Sequence, residues 1–346
     1  MMREGGPLLE RTLPTIYDVA RAAAVSPSTV SRAFARPGRV SHGTAQRIFA
    51  AAANVGYRST HVAGIQHAEA GKKSVIGLVI ADMRNPVYAE MGRGAEDAAA
   101  EGGYVMLLAH TQESEQQERL ALERLLPSVD GIVLTSSRMP DLAIRMIAKQ
   151  KPTIVLNRVV SDVPSVVADD PKGIRRAAVH LLGLGHRNIA YLAGPEASWA
   201  DGTRWRSLHD AASELELTVR RVGPGVPTVR GGEEAALDWL SHQTSAVIAY
   251  NDQMAMGFIR ALQRRGINVP EDVSVVGFDN SYGAGLLTPG LTTVEAPLYA
   301  LGSTAVTNLL AFSRGAHSQS GQPLVLPTRL IVRGSTSVPG RLPALS

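Results

Sequence analysis

The sequence predicts an N-terminal all-α helix-turn-helix domain followed by an α/β body built on parallel sheets. Apolar residues recur at helical spacing over residues 15–57, with a short break between the first two helices. From Val75 onward, short runs rich in Val and Ile alternate with amphipathic helices, as in doubly wound α/β proteins. Residues 1–74 carry ten Lys and Arg against four Asp and Glu, although the net charge of the whole chain is only +4. This basic excess indicates either a segment that meets a polyanion or a solvated basic surface.

The N-terminal domain is expected over residues 13–59 as three short helices. Ser26 is predicted to be an N-cap, and Pro27 occupies the first helical position, where a missing N–H costs nothing. Ser41 caps a third helix that Gly56 closes. Two helices joined by a short break and braced by a third form a helix-turn-helix. The apolar residues that mark these helices are Ile16, Val19, Ala20, Ala23, Val30, Phe34, Ile48, Phe49, Ala52 and Val55.

A linker over residues 60–74 separates this domain from the body, which is predicted over residues 75–336. The stretch "STHVAGIQHAEAGKKS" (59–74) is small, polar and poor in packing residues. In the body, runs such as "SVIGLVIAD" and "VSVVGFD" are continuously apolar, as strands of a parallel sheet covered on both faces are. Because ligands bind beyond the carboxyl ends of such strands, the polar residues there are expected to line a cleft. These residues are Asp82, Asn157, Asp169, Asn251 and Asp279.

The sequence disfavours several functional classes. The chain has no cysteine, which excludes disulfides and thiolate metal sites and is consistent with a reducing cytoplasm. No apolar run reaches the roughly 18 residues of a membrane span, and the N-terminal residues lack the apolar core of a signal peptide. Phosphate-binding glycine loops and the G-x-S-x-G motif are absent from the sequence, and His180 and His186 lack the spacing of metal ligands. We therefore expect no enzyme, no cofactor and no metal site, and a cytoplasmic location.

Two long regions carry the motifs of a known family. "TIYDVARAAAVSPSTVSRAF" and "RVSHGTAQRIFAAAANVGYRS" lie in the N-terminal domain, and "LLGLGHRNIAYLAGP" and "VPEDVSVVGFDN" lie in the body. On these motifs the chain resembles the LacI/GalR family of bacterial transcription regulators over about residues 15–334. The resemblance implies a periplasmic-binding-protein-like (type I) body of two lobes, between which the chain crosses three times. Lobe 1 is then expected over about 75–171 and 298–320, and lobe 2 over about 172–297 and 321–336.

The resemblance also implies that the second helix is a recognition helix. The positions of Pro27, Ser28 and Arg32 are the ones that read bases in this family. Short polar side chains such as Thr29 and Ser31 let a helix backbone approach the groove, and an arginine is long enough to reach a guanine edge or a phosphate. Pro27 offers only apolar contact, for instance to a thymine methyl group. The candidates for phosphate contacts are Thr15, Tyr17, Ser26, Ser31, Ser41 and Thr44.

Two places depart from the family pattern. Ala24 stands where the family often has glycine in the turn, so we expect slight backbone strain there. In the hinge, Gly64 and Gln66 stand where the family usually carries arginine and leucine. Ile65 is the adjacent apolar residue, and in a shifted register it would insert into the minor groove of DNA.

The family's effector site lies between the two lobes. Arg204 is the leading candidate, since its fork of donors clamps vicinal hydroxyls or a carboxylate. Trp199 is expected to stack on the apolar face of a sugar ring, with interlobe packing as the alternative. This acceptor-rich set with an aromatic platform favours a sugar or sugar derivative over a purine. The other effector candidates are Asn85, Tyr88, Arg158, Asp169, Asn251 and Asp279.

The sequence thus predicts a ligand-responsive, sequence-specific DNA-binding transcription regulator, which in this family is most often a repressor. Its expected partners are a double-stranded, pseudo-palindromic DNA operator and a small sugar-like effector, without a membrane. The C-terminal stretch "STSVPGRLPALS" has no heptads, which favours a homodimer. The alternatives are a regulator that responds to a nucleoside or another non-sugar metabolite, and a solute-binding protein or an enzyme built on the same body.

Overall fold

The computed structural model describes residues 14–35, 39–55, 57, 75–315 and 322–340. The chain divides into two compact units, Met1–Lys72 and Lys73–Ser346. The closing residue Gly56, the linker over 60–74 and its hinge residues Gly64, Ile65 and Gln66 lie outside the described residues.

Three helices form the described part of the N-terminal unit: α1 Ile16–Ala22, α2 Pro27–Ala35 and α3 His42–Val55. Val19, Val30 and Ile48 are fully buried where these helices meet. The hydroxyl of Ser26 accepts a hydrogen bond from the Thr29 amide at 3.2 Å, which confirms the predicted N-cap. Ala24, in the turn between α1 and α2, has a φ of 53°, which confirms the strained turn.

The first lobe of the body is a six-stranded parallel sheet with helices on its faces. Its inner strands are buried on both faces, which explains their continuous Val and Ile runs. The strands are β1 Val75–Ile80, β2 Val105–His110, β3 Gly131–Thr135, β4 Thr153–Leu156, β5 Ser165–Ala168 and β11 Leu324–Leu326, in the spatial order β11-β5-β4-β3-β1-β2. The helices are α4 Pro86–Glu101, α5 Glu115–Leu125, α6 Asp141–Gln150 and α11 Leu298–Ser313.

The second lobe repeats this plan, with one antiparallel strand at its edge. Its strands are β6 Asn188–Leu192, β7 Thr218–Val222, β8 Ala246–Ala249, β9 Ser274–Asp279, β10 Thr292–Glu295 and β12 Arg329–Ile331, in the spatial order β12-β10-β9-β8-β6-β7. Its helices are α7 Asp170–Gly183, α8 Trp199–Leu215, α9 Val229–Leu240 and α10 Asp252–Gln263.

The chain passes between the two sheets after β5, between β10 and α11, and between β11 and β12. The last passage differs from the sequence analysis, which placed residues 321–336 wholly in lobe 2. Leu324–Leu326 pairs with Val166–Ala168 of β5, so this strand extends the first sheet and the passage follows it. None of the helices in the described residues is long and apolar enough to span a lipid bilayer.

Candidate functional site

The exposed face of α2 carries a compact group of hydroxyls and one arginine. The Ser26 hydroxyl lies 2.9 Å from the Ser28 hydroxyl and 2.8 Å from the Thr29 hydroxyl. Arg32 lies along the same face, and its Nε donates to the Ser28 carbonyl at 3.2 Å. Pro27 and Ser31 are half-buried on the same helix. The helix therefore presents short polar groups, so its backbone can approach a groove closely.

Hydroxyl-bearing residues also lie at the starts of α1 and α3, the two helices next to α2. The amide and the hydroxyl of Thr15 donate to the Asp18 carboxylate at 2.8 and 2.7 Å, which caps α1 and lowers the pKa of Asp18. The Ser41 hydroxyl donates to the Thr44 hydroxyl at 2.9 Å before α3, and Tyr17 is exposed. The described part of this unit carries four arginines against the single carboxylate of Asp18, so its surface is basic.

Arg204 lies at the centre of a buried charged cluster in the second lobe. Its Nε donates to Asp170 Oδ2 at 2.9 Å, and its terminal nitrogens lie 2.5 Å from the Tyr250 carbonyl oxygen and 3.6 Å from Asp279 Oδ1. The guanidinium carbon lies 3.5 Å from the centre of the Phe278 ring, a cation–π contact. Burial acts to lower the pKa of Arg204, but the two carboxylates outweigh it and raise this pKa. Arg204 is therefore a fixed cation.

A second buried arginine lies in the first lobe, beyond the end of β3. Arg138 Nε donates to Glu113 Oε2 at 2.7 Å, and the Arg138 amide donates to Glu118 at 2.9 Å. The Arg138 side chain is 4% exposed and that of Glu113 is 20% exposed. Burial raises the pKa of Tyr250 in the second lobe, and the charges of Arg138 and Arg204 oppose this rise. The charges of two arginines, one from each lobe, therefore act on the phenol of Tyr250.

A cavity of about 970 Å³ opens between the two lobes, and Asp279 is one of its lining residues. Pro86 and Glu90 of the first lobe line it, as do Asn280 and Tyr282 of the second. Nearby, the Gln253 amide donates to the Arg84 carbonyl at 3.2 Å and joins the lobes directly. A cavity of this volume accommodates a small metabolite.

Backbone strain concentrates at the carboxyl ends of the strands. Among the described residues, nine non-glycine residues have a positive φ, and six of them lie at or within three residues of such an end. Conformations of this kind cost roughly 1–3 kcal/mol and persist where surrounding structure holds them, as binding sites do. The six residues are Gln112, Glu113, Ser136, Asn157, Asp279 and Asn280.

The structure brings some of the predicted effector residues together and gives others local roles. Arg204 and Asp279 contact each other, and Tyr88 is buried, its pKa raised by burial and by the nearby Glu113. Trp199 is the half-buried first residue of α8. Arg158 is directed at its own lobe, where it bonds the carbonyls of Ser137 and Met139 and the Asp141 carboxylate. The residues whose side chains cap helices are Asn85 on α4, Asp169 on α7 and Asn251 on α10.

Sequence reasoning missed five residues that belong to the two buried charged clusters of the body. Two of them, Asp170 and Tyr250, adjoin residues that were predicted, so the position after a strand was a usable signal. Glu113 and Arg138 follow β2 and β3 by a few residues, but nothing in the sequence shows that they pair. The sequence pattern around Phe278 indicates only an ordinary buried strand residue. The five are Glu113, Arg138, Asp170, Tyr250 and Phe278.

The two histidines considered as ligands tie the C-terminal segment to the second lobe. His186 is buried between the hydroxyls of Ser245 and Ser274, at 2.9 and 3.0 Å, and burial lowers its pKa. His180 Nε2 lies 3.0 Å from the Thr336 hydroxyl. Within the residues that the structure describes, no group of three His, Asp or Glu side chains is arranged to hold a metal ion.

Comparisons with known proteins match both units of the chain. The family described as bacterial regulatory proteins, lacI family, matches residues 15–59, and a periplasmic binding protein-like domain matches residues 178–336. The chain is 33% identical over 342 residues to the HTH-type transcriptional regulator DegA of Bacillus subtilis, covering 93% of this chain and 98% of that protein.

Solved structures match over the same range. The lac repressor dimer bound to operator and the anti-inducer ONPF shares 27% identity with a TM-score of 0.72, covering 94% of this chain and all of that one. The transcriptional regulator CelR in complex with cellobiose shares 28% identity with a TM-score of 0.70, covering 93% of this chain and 99% of that one. The similarity therefore extends over both the helix-turn-helix and the two-lobed body.

Proposed function

The chain belongs to the lacI family of bacterial regulatory proteins, and from this premise we propose that it is a transcription regulator controlled by a small sugar-like effector. It acts as a repressor that binds a pseudo-palindromic DNA operator as a homodimer. The observation that carries the proposal is the exposed hydroxyl and arginine face of α2, on the same chain as a buried, charged cleft between two lobes.

The proposed DNA contacts divide into base reading and backbone positioning. Ser28 and Arg32 read base edges in the major groove, and Pro27 contacts a thymine methyl group. Ile65, in the hinge outside the described residues, reaches the minor groove at the dimer axis. Positioning on phosphates fixes the register without carrying sequence information, and it falls to Thr15, Tyr17, Ser26, Ser31, Ser41 and Thr44.

The proposed effector binds between the lobes. Arg204 and Asp279 supply a donor fork and an acceptor for neighbouring hydroxyls, and Trp199 supplies an aromatic face. Asn85, Tyr88, Arg158, Asp169 and Asn251 complete the proposed site. Effector binding there favours one arrangement of the lobes over another. The change in DNA affinity is set by the difference between the effector's affinities for the two arrangements. The cellobiose complex of the related CelR supports a sugar as the ligand.

This function requires no catalytic residue, cofactor or metal ion. Because a bacterial transcription regulator acts on DNA, this function implies that the protein is located in the cytoplasm. The match to the HTH-type transcriptional regulator DegA, which covers 98% of that protein, supports this assignment.

The proposal is tested by comparing Arg32→Ala with the matched control Arg47→Ala, an exposed arginine on α3. An operator is first selected from a random DNA pool with the full-length protein, and affinities for its single-base variants are then measured by fluorescence anisotropy. Loss of a base contact costs about 1–3 kcal/mol at one position. We expect Arg32→Ala to lose the sequence preference at one base pair of each half-site. Arg47→Ala is expected to weaken binding to all operator variants alike.

Equal weakening by both substitutions, with sequence preference unchanged, would show that Arg32 does not read bases. Failure of the wild-type protein to select any operator would contradict the proposed function itself.

A further inference from the structure

We propose that the second lobe carries a second ligand site, which binds a small metabolite through an oxyanion group, either a carboxylate or a phosphate. The site is a cavity of about 390 Å³ where strands β6, β7 and β8 begin. Its lining includes Asn188, Thr218, Arg220, His242 and Gln243. The cavity is separate from the proposed effector cleft, so the inference goes beyond the proposed function and does not depend on it.

The cavity lies at the opposite edge of the second sheet from the effector candidates. Asn188 and Thr218 are the paired first residues of β6 and β7, and Ser245 directly precedes β8. At the other edge, Asn251 follows β8 and Asp279 ends β9. Because these strands are parallel and rise about 3.3 Å per residue, the length of the strands separates the two places. A ligand at the amino ends therefore leaves the effector cleft unoccupied.

The alternation of side chains along β7 directs Arg220 toward this cavity. Successive side chains of a strand point to opposite faces, so Arg220 shares a face with Val222, which belongs to the same core cluster as Trp239 of α9. Arg221 lies on the other face, where it pairs with Asp201 of α8. Arg220 Nη2 donates to the Trp239 carbonyl oxygen at 3.2 Å. This bond anchors the guanidinium at the end of α9, in the cavity wall.

Two buried donor atoms of the lining residues have no acceptor in the protein. Among the described residues, five buried side-chain polar atoms lack a hydrogen-bond partner, and Arg220 Nε and Gln243 Nε2 are two of them. Leaving a buried donor without an acceptor is costly, and the cost is larger for a charged group. The occurrence of two such donors at one cavity points to a ligand that supplies acceptor oxygens.

The charge of Arg220 is poorly matched by its surroundings. None of the lining residues that the structure describes is acidic, and the exposed His242 is a further polar group. Burial lowers the pKa of Arg220, and the charge of Asp238 opposes this lowering without cancelling it. Arg204 differs, because its carboxylate partners outweigh burial and raise its pKa. An oxyanion would supply both the counter-charge and the acceptor oxygens that Arg220 lacks.

The core of the second lobe fixes the walls of the cavity. The indole N–H of the fully buried Trp239 donates to the Thr244 hydroxyl at 3.0 Å, and that hydroxyl donates to the Ala246 carbonyl at 2.8 Å. The Ser245 hydroxyl lies 2.9 Å from His186 Nδ1. These bonds hold the loop between α9 and β8. A volume of about 390 Å³ is near the lower end for ligand sites, which suits a small metabolite.

The test follows thermal unfolding of the full-length protein with inorganic phosphate and succinate as probes. Each probe is titrated while sodium chloride keeps the ionic strength constant. We expect a saturable rise of about 3 °C in the unfolding midpoint at a probe concentration of about ten times the dissociation constant. Arg220→Gln retains an amide donor but removes the charge, and it should raise the apparent dissociation constant at least about tenfold.

A second variant, Gln243→Glu, keeps the size of the side chain and places a fixed carboxylate in the cavity. It should abolish the midpoint shift, because that carboxylate repels the probe and offers Arg220 a counter-charge within the protein. The matched control is Arg230→Gln, at an exposed arginine near the start of α9 that is paired with Glu234. This control should keep the wild-type shift. Circular dichroism establishes that each variant is folded.

A shift with either probe that both cavity variants lose supports the site, and the tighter probe shows whether the ligand carries a phosphate or a carboxylate. The absence of a saturable shift with both probes would overturn the inference. A shift that folded Arg220→Gln and Gln243→Glu retain would also overturn it, because the anions would then bind elsewhere, as on the basic surface of the N-terminal unit. Failure to select an operator contradicts the proposed function and leaves these outcomes unaffected.

Discussion

Asp252 is a buried carboxyl group whose partners are mostly neutral. It accepts hydrogen bonds from the Thr293 hydroxyl and the Ser281 amide, each at 2.6 Å. Burial raises the pKa of Asp252 to about 6, although these hydrogen bonds and the charge of Arg333 oppose the rise. Since the pKa in the unfolded chain is near 3.8, ionisation costs the folded state on the order of 3 kcal/mol. The cost begins above pH 4 and is complete above pH 6.

We therefore predict that the unfolding free energy of wild type falls as the pH rises from about 4 to about 6. Asp252→Asn should not show this fall. Urea denaturation at several pH values measures this, and the difference between variant and wild type should grow in favour of the variant over that range. Asp238→Asn, at an exposed position on α9, is the control. Parallel pH profiles for Asp252→Asn and wild type would contradict the prediction.

At the residue scale, the sequence predicted which side chains lie in the cleft better than it predicted their hydrogen-bond and ion-pair partners. Arg204 and Asp279 were expected in the cleft, and they contact each other. The partner of Arg138 was not predictable, because Glu113 lies on a different strand connection and only the packed sheet brings the two together. Nor could the sequence show that Arg158 donates to the loop that follows β3, through the carbonyls of Ser137 and Met139.

At the element scale, close approach between α4 and α11 fixes the core of the first lobe. A Cβ added to Gly302 would lie 1.9 Å from the Met91 carbonyl oxygen, and one added to Gly94 would lie 2.1 Å from the Tyr299 carbonyl oxygen. The two helix backbones therefore pack with glycine on both sides. No side chain fits there without separating the helices.

We predict that Gly302→Ala lowers the unfolding free energy by at least about 2 kcal/mol, since the rigid Met91 backbone cannot yield to the new methyl group. Gly202→Ala in α8 is the matched control, because its Cβ would meet nothing within 4 Å. It should be neutral or stabilising by up to about 1 kcal/mol, as alanine is the better helix former. Chemical denaturation measures both. Equal stability of the two variants would show that α4 and α11 adjust to each other freely.

The sequence predicted elements well where their pattern was simple. The buried strands and the helices of the N-terminal unit follow from apolar runs and capping residues, and Ser26 is the cap that was expected. Helix α11 was harder, because it is apolar on most of its surface and is covered by α4 and the first sheet. Such a helix lacks the polar stripe that periodicity analysis needs. The strand β11 was assigned to the second lobe, although it pairs with β5 of the first sheet. A strand of three residues is too short for its sequence pattern to show which sheet it joins.

At the scale of the whole molecule, one edge of the first sheet is both open and apolar. Strand β2 pairs only with β1 in the described structure, so its outer edge has unpaired backbone groups. Val105, Leu107 and Leu108 on this strand are 56%, 42% and 44% exposed. Exposed apolar edge strands favour association with another chain. The proposed homodimer provides a second copy of the same edge, related by two-fold symmetry, to cover it.

We predict that Leu107→Glu weakens the dimer at least about tenfold, since a charge on this edge must be desolvated and faces its own symmetry copy. Sedimentation velocity over a range of concentrations measures the dissociation constant. Operator affinity should fall in parallel, because only a dimer presents two recognition helices to two half-sites. Leu142→Glu is the control, at a position on α6 that is 64% exposed and lies away from β2. A variant Leu107→Glu that stays dimeric while Leu142→Glu dissociates would place the interface on the opposite side of the first lobe.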